Sequence, residues 1–146
     1  MKSKSLLIAL LLIILFVSFK ISLNKTITNG IEDRLDGEQV SNDFFNYRKS
    51  NNPDALIQLC DEEFIAKTGR KEFIKQLSDY SSKLGALKKD SLLTWETISN
   101  SGTNSSSSYL FVYDNKYENA NSIETFKMKK GFWGKVEIVD YKLQIK

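Results

Sequence analysis

At Ala86 the apolar period of this chain changes. Before it, hydrophobic residues recur at helical spacing. After it they alternate along short segments, the spacing of strands with one buried face. Such a chain can bury both sets only by packing its N-terminal helices on a C-terminal antiparallel sheet, which is an α+β arrangement.

The helical half divides into three segments. Asp36 followed three residues later by Gln39 is a capping-box pattern, and Val40, Phe44 and Tyr47 follow at helical spacing, predicting a helix over 37–49. Asn52-Pro53 supplies an N-cap and a first-turn proline for a short helix carrying Leu56, Leu59 and Cys60. After Thr68-Gly69, the residues Phe73, Leu77, Tyr80 and Leu84 form an apolar stripe that ends at Gly85, a left-handed C-cap. Four strands follow. They are predicted over 91–98, over 109–117, over 123–129, and through the alternating Val139, Tyr141, Leu143 and Ile145. Residues 100–108 are glycine, asparagine and serine apart from Thr103, with no apolar residue to pin them. Phe132 and Trp133 stand between glycines in the last turn, read as packing over the open end of the core or as a contact patch for a partner.

Residues 6–19 run apolar behind Met1, Lys2 and Lys4, with Lys20 closing the run. That is the layout of an export signal or membrane anchor over 1–25. No small residues stand three and one before a cut, which favours a retained single-pass anchor through residues 6–23, with cleavage and secretion as the alternative. Either way the expected address is extracytoplasmic, in a bacterial cell envelope. Residues 26–36 are read as a linker and 37–146 as one domain, because about 120 residues sustain one core.

Three of the 21 basic residues are Lys2, Lys4 and Lys20, so 18 basic face 18 acidic residues from Leu23 onward. A neutral domain has no overall electrostatic pull on nucleic acid, and none is expected as a partner. Glu32, Asp33, Asp36, Glu38, Asp43, Asp54, Asp61, Glu62 and Glu63 concentrate acid in the helical half, leaving the remainder basic. This is read as an acidic helix face near a basic sheet.

The chain has no histidine, which removes the commonest general base and zinc ligand together. Its one cysteine, Cys60, permits no internal disulfide. Asp61, Glu62 and Glu63 beside it disfavour a thiolate, so Cys60 is expected to be a buried core residue. The same three acids lack the spaced ligands and glycine of a calcium loop and are read as a solvated patch. No metal, cofactor or catalytic residue is expected.

The helical stretch DFFNYRKSNNPDALIQLCDEEFIAKTGRKEFIKQLSDYSSKLGALKKDS, followed by YLFVYDNKYENANSIETFKM and GKVEIVDYKLQIK, resembles small exported bacterial domains of unknown function in the NTF2-like, cystatin-like superfamily. The likeness is one of element order over 37–146. It implies a cone of N-terminal helices on a curved antiparallel sheet, able to enclose a pocket. Against that frame the expected role is a ligand- or protein-binding module, with the pocket between the helix carrying Tyr80 and the concave sheet face carrying Phe111, Tyr113, Glu124 and Phe126. The expected partners are the membrane, a small apolar ligand or an envelope protein, and a second copy through the sheet. The alternative is an isomerase-type enzyme in which Glu124 and Tyr109 or Tyr113 meet in an apolar pocket. The plainest expectation for the same residues is tyrosines filling half-buried sheet positions and Glu124 facing solvent.

Overall fold

The computed structural model describes residues 25–102, 105–131 and 134–146. The leader segment, Phe132 and Trp133 therefore lie outside the described residues. Among the described residues no helix is long and apolar enough to cross a membrane.

The described chain forms four helices on one face of a curved, unclosed antiparallel sheet. In chain order the elements are β1 (Lys25–Thr28), α1 (Ile31–Lys49), α2 (Pro53–Ile57), α3 (Glu62–Thr68), α4 (Arg70–Leu84), β2 (Leu87–Lys89), β3 (Leu92–Ser101), β4 (Ser106–Tyr117), β5 (Asn121–Lys130) and β6 (Val136–Ile145). The sheet order is β1-β3-β4-β5-β6, and β2 pairs with the far end of β4.

The stretch expected as a linker is structured. Residues 25–28 pair with β3, and α1 begins at Ile31, two turns before the expected start. Asn29 causes the change. Its φ of 54° turns the chain off the edge of the sheet, its N–H donates to Thr97 O at 2.8 Å, and its Oδ1 accepts from Thr97 N at 3.0 Å. Asparagine adopts this left-handed conformation more readily than most residues, and here the bonds to Thr97 hold it there. Asp36 is then inside α1 rather than at its cap, and its carboxylate pairs with Lys130 at 2.8 Å.

The other cap signals hold: Asn52 caps α2 through Ala55 N, and Gly85, at φ 74°, ends α4. The helix α2 stops at Ile57, however, so Leu59 and Cys60, expected on it, lie in the turn beyond it, where Cys60 bridges to Ile138. The acidic cluster hides a further helix, α3, capped by Asp61, which accepts from Glu63 N and Phe64 N. The connection before α3 joins the edge of β6. Asp61 N donates to Ile138 O at 2.9 Å and Ile138 N to Leu59 O at 2.8 Å, so the edge is partly covered. Cys60 lies there, buried, with its thiol pushed up to about 12 by burial. Lys129 to Asp61 at 2.7 Å and Lys130 to Asp36 join the acidic helices to the basic sheet.

The core is aromatic. Phe126 meets Phe44 at 5.1 Å, Phe45 at 5.6 Å, Tyr113 at 5.9 Å and Tyr141 at 5.1 Å between ring centroids. Gly37 lets α1 lie directly on Phe111, since a Cβ there would stand 2.4 Å from the ring. A bulge in β6 places Ile138 and Tyr141 on the helix side of the sheet. Val139, expected to share a face with Tyr141, instead lines the opposite face with Leu110 and Lys127.

Candidate functional site

The C-terminal turn of α1 carries a cation into the core. Phe44 and Phe45 bury that face of the helix, and Arg48 follows Phe44 at the next turn, so its guanidinium enters between the aromatic rings and the sheet. The end of a helix favours a positive charge. What the guanidinium meets is Glu124, on the inward face of β5 and fully buried.

The pair is bidentate. Arg48 Nη1 donates to Glu124 Oε2 at 2.9 Å and Nη2 to Oε1 at 3.2 Å. Oε1 also accepts from Asn115 Nδ2 at 3.0 Å, from Ser122 Oγ at 3.1 Å and from the Tyr117 hydroxyl. Oε2 accepts from the Tyr141 hydroxyl at 2.5 Å. Arg48 Nη1 further donates to the Tyr141 oxygen at 2.9 Å, and Nη2 to that of Tyr117. Parity builds the rest: Asn115 and Tyr117 share one face of β4, Ser122 and Glu124 one face of β5, and the two strands pair in register. Burial pulls the Arg48 guanidinium down, but Tyr141 and Glu124 outweigh it and raise it above its usual range. Burial first, and the Glu124 charge next, hold the Tyr141 hydroxyl well above the usual tyrosine range despite Arg48 beside it. It therefore stays a donor.

This arrangement decides what the carboxylate can do. Glu124 accepts six hydrogen bonds, against about four lone-pair directions, so none is left for a substrate proton. A general base must reach the proton it removes. Arg48 is better placed to meet a ligand. Its four Nη hydrogens are committed within the cluster, while its Nε makes no hydrogen bond among the described residues.

Two clefts open beside Arg48. One, of about 250 Å³, lies between α1, α2 and α4 and is lined by Tyr47, Asn51, Asn52, Leu56, Leu77 and Ser78 among others. The second, of about 200 Å³, runs toward β2 past Phe45, Lys49, Leu87 and Tyr117. Arg48 and Ser81 line both.

The residues expected to form the pocket fall otherwise. Phe111, Tyr113 and Phe126 are on the concave face but are fully packed core, and they line neither cleft. Tyr80 is half-buried on α4, where its hydroxyl accepts from Gln76 at 3.1 Å, and it lines neither cleft. Glu124 does not face solvent; its tyrosine partners are Tyr117 and Tyr141, while Tyr109 bonds Asp33 at 3.2 Å. The cleft lies against the end of α1 because the aromatic rings of α1 fill the space under the sheet. Arg48 was the missed residue. Its position one turn after Phe44 on an apolar helix face was the available signal.

The chain matches no family model, no curated protein and no solved structure. Among the described residues no three acidic or cysteine side chains are grouped to hold a metal ion. The site is therefore defined by its own geometry.

Tyr113 gives a sharp test of that geometry. Its buried hydroxyl makes no well-formed hydrogen bond, and burial pushes it up to about 12 from 10.0 although Ser41 beside it pulls the other way. Removing an unpartnered buried hydroxyl forfeits nothing, so Tyr113→Phe is expected to keep or raise stability by up to about 1 kcal/mol in urea unfolding. A group whose folded pKa is raised contributes stability that is complete below the unfolded value and lost as pH rises through the folded one. Wild-type stability should therefore fall between about pH 10 and 12, and the variant should fall less steeply. A loss above 1 kcal/mol at pH 7 would show that the hydroxyl is bonded after all.

Proposed function

We propose that this chain is an extracytoplasmic binding module, held at the envelope by its N-terminal segment or released from it, whose ligand site is the divided cleft beside Arg48. The observation that carries the reading is one buried guanidinium, fixed by Glu124 and two tyrosines, with a cleft on either side and a free Nε–H. Binding sites of this kind combine apolar walls with a few fixed polar groups. Here Leu56, Leu77, Phe45 and Leu87 are the walls. Arg48, Ser81 and the asparagines that start α2 supply the polarity.

Size narrows the ligand. Clefts of about 250 and 200 Å³ fall below the roughly 300–1,000 Å³ of sites for drug-sized molecules, so the ligand is a small amphipathic molecule with one acceptor group, or a longer one that passes Ser81 to fill both. Helices laid on a curved antiparallel sheet agree with the NTF2-like reading of the sequence, a superfamily in which such a site is a binding or a catalytic one. The saturation of Glu124 favours binding.

A thermal-shift screen of short-chain carboxylates, amides and ketones checks this. A ligand present at 100 times its Kd adds about 2.7 kcal/mol, which for a domain of this size is a shift of roughly 10 °C. Ser81 is exposed and lines both clefts, so Ser81→Trp should abolish the shift while leaving the unliganded melt unchanged. A shift that survives in Ser81→Trp, or a library that never moves the wild type, would sink the cleft as the site.

A further inference from the structure

The solvent side of α1 is a neutral strip. Its exposed positions read Ile31, Leu35, Gln39, Asn42 and Asn46 before Lys49 at the end of the helix, at the three- and four-residue spacing of one helical face. The acids of α1 stand on its flanks and are engaged there. Asp33 accepts from Ser99 at 2.7 Å and Asp43 from Gln39 at 3.0 Å, while Asp36 pairs with Lys130 and Glu38 with Arg34. Glu32 is exposed on the flank toward Lys130, whose positive charge it favours. At its N-terminal end the strip turns apolar. Ile31 and Leu35 are 65 % and 59 % exposed, and Ile27 of β1, 41 % exposed, lines the same surface depression as Ile31. Apolar residues exposed singly are ordinary, whereas a contiguous group of three marks a contact surface.

We propose that this end of the domain rests on a lipid surface, with Ile27, Ile31 and Leu35 set among the headgroups and the neutral strip of α1 beside them. This rests on the reading of residues 6–23 as a retained membrane anchor and goes beyond it, because an anchor by itself asks nothing of the folded domain.

Distance selects lipid as the occupant. The apolar run ends at Leu23, and β1 begins at Lys25 with only Asn24 between them. Four residues of fully extended chain reach about 14 Å, so Ile27 stands no farther than that from the edge of the hydrocarbon. The headgroup layer fills roughly 7 Å of this span. What remains is narrower than the roughly 10 Å of a single α-helix, so no layer of another protein fits between. Charge agrees, since a strip without charge approaches neutral headgroups freely, and Lys20 and Lys25 stand where lysine side chains reach those headgroups. The Arg48 cleft is about 25 Å farther along α1 from Ile31, so this surface does not depend on it.

The test uses the full chain in phosphatidylcholine vesicles, with a fluorophore on Gln39→Cys and, for comparison, on Lys142→Cys, which is exposed on the helix-free face of the sheet. Cys60 is buried, and its failure to label reports an intact fold. Lipids carrying a nitroxide on the headgroup should quench the probe at 39 about threefold more than the probe at 142. Ile31→Ser together with Leu35→Ser should abolish that difference while the chain still floats with the vesicles. Both side chains are exposed, so the pair of substitutions leaves the core untouched. In a chain that floats, equal quenching at the two positions, or quenching at 39 that survives the double substitution, overturns the proposal and leaves the anchor standing. A chain that does not float overturns the anchor and this proposal together.

Discussion

Arg48→Met should lower the stability of the folded chain by about 3–5 kcal/mol, the cost of leaving a buried charge without its partner. The substitution keeps an unbranched side chain beside Phe44 and Phe45, though one that stops short of the guanidinium carbon, and removes every N–H that Glu124 receives from the guanidinium. Domains of this size hold about 5–15 kcal/mol in all, so the loss is a large fraction of the total. For a urea m-value of about 2 kcal/mol/M it moves the midpoint by roughly 2 M. Glu124→Gln should also be costly, since it leaves Arg48 uncompensated. The double substitution should cost less than the sum of the two by about 1–3 kcal/mol, because each single change strands the charge that the other removes. A loss below about 1 kcal/mol for Arg48→Met would place this pair with ordinary surface ion pairs, and the fixed guanidinium of the proposed site would go with it.

The second large effect is at Phe126, where the expected pocket and the observed core predict different outcomes. The ring is fully buried and lies within 6 Å of four other aromatic rings. Phe126→Ala should cost about 3–5 kcal/mol through lost transfer energy and a cavity that rigid neighbouring rings cannot close. Had this position lined a ligand pocket, truncation would have cost little stability and much affinity. The measurement is therefore paired: equilibrium unfolding for the stability loss, and the thermal shift of any ligand that binds the Arg48 cleft. The folded fraction of the variant should give the same shift as wild type. A stability loss under about 1.5 kcal/mol together with loss of that shift would return the site to the concave face of the sheet.

Local signals in the sequence were sufficient where the physics is local. The change of period at Ala86, the Asn52 cap, the Gly85 C-cap and the alternation of Tyr109, Phe111 and Tyr113 each depend on residues within one or two turns or along one strand, and each appears in the structure as read. Element type and the α+β class follow from them. The start of α1 did not, because it depends on Asn29 bonding to Thr97 across 68 residues of chain. A capping-box pattern at Asp36 was locally plausible, and a distant strand edge overrode it. The bulge in β6 stands where the segment around Cys60 docks on Ile138, and it moves Val139 off the face that alternation assigned to it with Tyr141, Leu143 and Ile145.

The candidate site belongs wholly to the second kind. Glu124 was visible as an inward-parity residue on a strand, but whether such a carboxylate meets water, a substrate or a cation depends on what another element brings to it. Arg48 comes from 76 residues away, Tyr141 from 17 and Asn115 from 9, on three different elements. The sequence by itself determined the apolar faces of the helices and of the regular strands, because periodicity is a property of the local backbone; the bulged start of β6 is the exception. Only the tertiary structure decided that the aromatic residues of α1 fill the concave face and move the open space to the end of that helix. Packing density is shared by all the elements that enclose a volume, and no one segment encodes it.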